Sequence, residues 1–189
     1  MTSATRGVAA LVALAFLAVA VGVGALANVD RVLLEILQVP HGSWFDLGAS
    51  IVSTLGRAEI VGTVALGVAI VRRRAGRRDW WVPLLLIVVV AIEFVLKATV
   101  PQEPPGHDLG RTVDVLPDLD LPTAFAFPSG HVARVAFLVA ALRWPPILSV
   151  AIVLAVGLTR VYLGGHWPSD VVGGWLLGYG IAALAYRRQ

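Results

Sequence analysis

The sequence predicts an all-α, polytopic membrane protein: one six-transmembrane-helix bundle with an amphipathic helix at its outer interface. Three observations carry that reading. Of 189 residues, 58% are hydrophobic and the mean hydropathy is +0.82, above the roughly 45–50% apolar share of soluble domains. The apolar residues are gathered in blocks of about 20, the length that crosses the hydrocarbon core. The basic residues fall in alternate gaps between those blocks, the bias that orients membrane helices. Residues 1–189 are expected to form a single membrane-embedded domain.

The first span is expected at about 8–27. Arg6 before it and "ALA" at 25–27 also fit a cleaved signal peptide. A retained helix is preferred because the apolar run exceeds a typical signal core. In "NVDRVLLEILQVP", Val29, Val32, Leu33, Ile36 and Leu37 share one helical face. Asp30, Arg31, Glu35 and Gln38 occupy the other, and Pro40 ends the segment. This is a helix either lying in the outer interface or packed on the bundle. Further spans are expected at about 47–71, 80–100, 128–144, 145–163 and 169–186.

"RRRAGRR" at 72–78, Arg143, Arg6 and the terminal "YRRQ" share one side of a six-span chain, which is then cytoplasmic. Both termini are expected there, and the small size and short loops suggest a bacterial inner membrane. The opposite side carries 28–46, 101–127 and 164–168. Loop 101–127 sets Glu103, Asp108, Asp114, Asp118 and Asp120 against Arg111. The absence of cysteine excludes disulfides, thiolate metal sites and a Cys nucleophile. With a formal charge of only +3, no nucleic-acid partner is expected.

Charged residues within spans are costly and mark functional candidates. Here they are Arg57, Glu59, Glu93, Lys97, Arg134 and Arg160, with His131, His166 and Asp170 at span ends. Lys97, His131, Arg160, His166 and Asp170 come from different segments yet fall at one depth, near the outer face. In "PSGH", Pro128 to His131, a helix begins, and its first N–H groups and dipole attract an anion. Gly130 admits close approach, Ser129 can donate a hydrogen bond, and His131 can carry a proton near neutral pH. A helix start with an incidental histidine is the plainer alternative.

In "TRVYLGGHWPSD", Arg160 can grip phosphate with two parallel bonds. Asp170 follows His166 at a spacing that lets a carboxylate fix the ring tautomer and sharpen the other nitrogen as a nucleophile. The alternative is a loop whose His and Trp anchor in headgroups. Lys97 follows Glu93 by one turn, a favourable ion-pair spacing, against the alternative of a snorkelling lysine.

These pieces, in this order, resemble the type 2 phosphatidic acid phosphatase superfamily, whose motifs are Lys-x6-Arg-Pro, Pro-Ser-Gly-His and Ser-Arg-x5-His-x3-Asp. The second motif is complete at 128–131. The third runs Arg160, His166, Asp170, with Thr159 in place of Ser. The first departs from the pattern: Lys97 and Pro105 are present, but Pro104 stands where Arg is usual. Arg134 and Arg111 are the candidates to replace it.

The resemblance implies a metal-independent, cofactor-free phosphatase acting on a lipid phosphate or diphosphate. His166 would be the nucleophile that forms a phosphohistidine, Asp170 its orienter and His131 the acid. Lys97, Ser129, Gly130 and Arg160 would hold phosphate oxygens. Undecaprenyl diphosphate, phosphatidic acid and phosphatidylglycerol phosphate are the substrate classes implied. A non-catalytic lipid-phosphate-binding or transport protein on the same fold is the competing expectation, with Pro104 its support.

Overall fold

The structure is a computed structural model. It describes residues 2–39, 42–116 and 123–186, and over them it is all-helical. Pro40, Asp118, Asp120 and the terminal arginines lie outside the described residues.

Helix α1 spans Ser3–Gly22, capped by the Thr2 hydroxyl, which accepts the Thr5 N–H at 3.2 Å. It stops short of the expected Ala27 because the chain turns at Gly24, whose φ of 75° favours glycine. Helix α2 spans Ala27–Leu37. Asp30, Leu34 and Gln38 are buried, while Val29, Val32, Leu33 and Ile36 are exposed. The apolar stripe points away from the bundle, and two polar residues point into it.

The second expected span, 47–71, is not one helix. Helix α3 (Ser43–Ser53), a 3-10 turn (Thr54–Gly56) and helix α4 (Ala58–Arg74) form a pair bent by 41°. Arg57 is extended between them, at φ −66° and ψ 143°. Gly56 at the bend lies against α6: a Cβ there would sit 2.6 Å from the Cβ of His131.

Helix α5, Leu86–Thr99, is preceded by a 3-10 turn at Val82–Leu85. Helices α6 (Gly130–Ala141), α7 (Pro146–Tyr162) and α8 (Pro168–Ala185) complete the bundle. Among the described residues, α1 and the 82–99 segment are long and apolar enough to cross a membrane alone, and the bent pair makes a third. The other expected spans, α6 to α8, are shorter or less apolar.

Helix α8 packs chiefly against α6 and α1. Between helices in lipid, close backbone approach replaces the hydrophobic drive, and glycines supply it here. A Cβ on Gly178 would lie 2.6 Å from the Phe137 N, and one on Gly174 would lie 3.1 Å from the Ala133 N. On the α1 side, a Cβ on Gly180 would meet Leu11 at 2.8 Å. Phe127, Val132, Ala133 and Phe137 are fully buried along this seam.

One end of the bundle is tied by Arg72. Its guanidinium donates to the Ala141 carbonyl at 3.1 Å and lies 3.4 Å from Asp79, while the Tyr186 hydroxyl donates to Ala141 at 2.6 Å. This gathers the C-terminal ends of α4, α6 and α8. At the other end, loop 101–116 is pinned across the helices. The Gln38 amide donates to the Leu109 and Tyr162 carbonyls at 2.9 and 2.8 Å. The Val113 N–H reaches the Ser50 hydroxyl at 2.9 Å.

Candidate active site

A cavity of about 200 Å³ opens at that second end. Helix α5 contributes Glu93 and Lys97, α6 contributes Gly130, His131 and Arg134, and α7 contributes Arg160. The turn before α8 adds Gly165 and His166, and Pro104, Phe125 and Ala126 close the loop side. Of the residues singled out in the sequence, Glu93, Lys97, Gly130, His131, Arg134, Arg160 and His166 therefore converge on one space, although their helices are far apart in the chain, whereas Arg57, Glu59, Ser129 and Asp170 do not line it.

The His166 Nδ1 lies 3.1 Å from the Asp170 Oδ2, which also accepts the Trp167 N–H at 2.9 Å. A carboxylate there holds the ring hydrogen on Nδ1 and leaves the Nε2 lone pair for the cavity. Burial first, then the charges of Arg160, Lys97 and Arg134, pushes His166 well below the ordinary imidazole range. The ring is thus kept neutral, the form that can attack.

Helix α6 is joined to this pair through the backbone. The Ser129 N–H donates to the Asp170 carbonyl at 2.9 Å. That corrects one expectation: this N–H is taken by α8 and is not offered to an anion. The Ser129 side chain is fully buried, and its hydroxyl has no hydrogen-bond partner among the described residues.

Glu93, 4% exposed, sits between two cations. Its Oε1 is 3.5 Å from the Lys97 Nζ and 3.9 Å from the Arg134 Nη2. The Arg134 Nε donates to the Gly130 carbonyl at 2.9 Å, which fixes the guanidinium one turn below the helix start. Gly130 makes the arrangement possible, since a Cβ there would lie 2.5 Å from the Glu93 Cδ and 2.6 Å from the Arg134 Nη2. Arg160 donates to the Ser53 hydroxyl at 3.3 Å, and a Cβ on Gly165 would sit 2.6 Å from its Nη2. Arg111 does not line the cavity; its guanidinium lies 5.6 Å over the Tyr162 ring.

Other residues support the site without having been singled out for it. Asp30, 3% exposed, accepts the Ser169 N–H at 2.9 Å and the Ser169 hydroxyl at 2.6 Å. It also lies 3.3 Å from the Gln102 amide. It caps α8 one residue before Asp170 and ties it to the loop that follows Lys97. Burial raises its pKa against the hydrogen bonds from Ser169. The signal was available: Asp30, Leu34 and Gln38 recur every four residues along one stripe.

The PAP2 superfamily profile matches residues 78–189. An undecaprenyl-diphosphatase from Sulfolobus acidocaldarius is 32% identical over 145 residues, 64% of this chain and 69% of that protein. A decaprenylphosphoryl-5-phosphoribose phosphatase from Mycobacterium tuberculosis is 32% identical over 123 residues, 63% of this chain and 65% of that one. The fold resembles the crystal structure of a transmembrane PAP2 type phosphatidylglycerolphosphate phosphatase from Bacillus subtilis. The TM-score is 0.74 at 23% identity, covering 95% of this chain and 94% of the other.

Proposed function

Because the chain belongs to the PAP2 superfamily and is a membrane phosphatase, we propose that it hydrolyses a phosphate monoester or diphosphate carried on a lipid, through a phosphohistidine on His166. The observation that carries this reading is the neutral, carboxylate-oriented His166 facing a cavity lined by Lys97, Arg134 and Arg160.

In the proposed reaction the Nε2 lone pair of His166 attacks phosphorus while Nδ1–H stays on Asp170. The P–O bond to the leaving group, the lipid alcohol of a monoester or the lipid phosphate of a diphosphate, breaks, and the oxygen that leaves takes a proton from His131. Water then attacks the phosphohistidine, giving its proton to His131, and inorganic phosphate leaves with His166 neutral again. Lys97, Arg160, Arg134 and the Gly130 N–H face the equatorial oxygens as charge spreads over them. Arg134 stands in for the arginine absent at 104: it lines the same cavity as Pro104, whereas Arg111 does not.

The placement of the lipid follows from the bundle. In this reading α1, the α3–α4 pair, the 82–99 segment, α6, α7 and α8 are the six spans. Both termini are cytoplasmic and the cavity faces outward, level with a headgroup whose tail stays in the bilayer. The exposed apolar stripe of α2 lies in that same interface. Substrates of the kind handled by the relatives, polyprenyl diphosphates and phosphatidylglycerol phosphate, fit it.

The test is inorganic phosphate release by the purified chain from a panel of lipid phosphates and diphosphates, with EDTA present. Release is expected from at least one lipid, inhibited by orthovanadate and abolished in His166→Ala. No release from any lipid, with vanadate binding intact, would turn the cradle into a binding site. Loss of activity in EDTA, restored by magnesium, would sink the metal-independent mechanism.

A further inference from the structure

A second cavity, of about 850 Å³, runs between α7 and the α6–α8 seam. Val139, Val153, Leu154 and Trp175 are among its largely apolar walls. It follows α8 from Val171 to Tyr186, about 22 Å at 1.5 Å per residue. That exceeds one leaflet's half of the roughly 30 Å hydrocarbon core.

The end away from the catalytic cavity is cationic. Arg6 and Arg143 line it, and no carboxylate does. The Arg6 guanidinium makes no hydrogen bond or ion pair among the described residues. Arg143 lies 4.5 Å over the Tyr186 ring, and its guanidinium makes no hydrogen bond or ion pair among the described residues. Arg143 also has a φ of 58°, and it is the only residue other than glycine with a positive φ among those described. It occupies the position after α6 where glycine is at ease and arginine is strained. Strain held in place at a lining residue points to a role for that side chain.

We propose that this groove is a phospholipid site separate from the catalytic one. The phosphate of an anionic glycerophospholipid sits between Arg6 and Arg143, and an acyl chain lies along the apolar walls beside α8. Paired guanidinium groups suit a phosphate diester, and basic pockets between membrane helices hold anionic headgroups. The lipid belongs to the leaflet opposite the catalytic cavity, so it is not the substrate. It fills the gap between α7 and the seam.

The experiment uses the full chain with phosphatidylglycerol or phosphatidylcholine added in detergent, and compares Arg6→Gln with Arg143→Gly. Glycine relieves the strained backbone, so Arg143→Gly keeps the helix end while removing the side chain with its guanidinium. Wild type is expected to gain more thermal stability from phosphatidylglycerol than from phosphatidylcholine, and to retain phosphatidylglycerol on purification. Each variant should weaken that retention roughly tenfold, the effect of one charge-assisted contact. The phosphatidylglycerol preference should vanish in the double variant and persist in His166→Ala. Unchanged retention in the double variant would overturn the proposal, as would a wild type that does not distinguish the two lipids. So would a groove-filling Val139→Trp that raises KM for substrate while leaving phosphatidylglycerol retention intact, since the groove would then hold the substrate's tail.

Discussion

Arg134 brings a guanidinium to the cavity where the first motif lacks one, and it reaches there because Gly130 has no side chain. Glu93 holds it and Lys97 together. Removing a group that stabilises developing charge costs about 10²–10³ in kcat. Arg134→Ala is therefore expected to lower phosphate release by about a hundredfold, and wild-type kinetics would return the role to Arg111 or to none. The environment of His166 sets a second expectation. Its pKa is depressed by burial and three cations, and the proposed attack needs the neutral ring. The acid limb of kcat/KM should therefore fall off below the ordinary imidazole value of about 6.5. A limb at or above that value in the pH–rate profile would mean that the cations are neutralised, or that another group controls attack.

At the scale of elements, α2 does more than lie at a surface. Its Asp30 caps α8 through Ser169 and reaches Gln102, so one carboxylate spans the loop after α5 and the helix that carries Asp170. The cationic cradle comes from α5, α6 and α7 and does not depend on it. Asp30→Ala is thus expected to lower kcat by about tenfold, the cost of a lost charge-assisted cap, while vanadate inhibition stays near wild type. Equal loss of turnover and vanadate affinity would mark a general collapse instead. The bend at Gly56 belongs to the same scale. Periodicity reads 47–71 as one apolar run, because the room for the bend, a glycine with His131 of another helix packed where a Cβ would go, appears only with α6 in place.

For the whole molecule, the chemistry was more legible than the packing. His166, Asp170, Lys97, Arg160 and His131 announce themselves because charge in an apolar span is costly, and their convergence needs only the order of the spans. Ser53 was not legible, since its importance lies in what it touches. Nor was the seam of Gly174 and Gly178, whose value appears only with α6 in place. Gly178→Leu should drive a side chain into the α6 backbone. A loss of about 3 kcal/mol is expected from such overpacking, read as a lower thermal midpoint and loss of monodisperse protein. A midpoint equal to wild type would mean that the seam is looser than described. The same glycines that let α8 nest so closely also strip it of greasy side chains. Although 18 residues long, it is not among the helices apolar enough to cross alone. In a growing chain, the segment bearing Asp170 is thus one of those not apolar enough to enter a bilayer by itself, and its close packing on α1 and α6 supplies what its side chains do not.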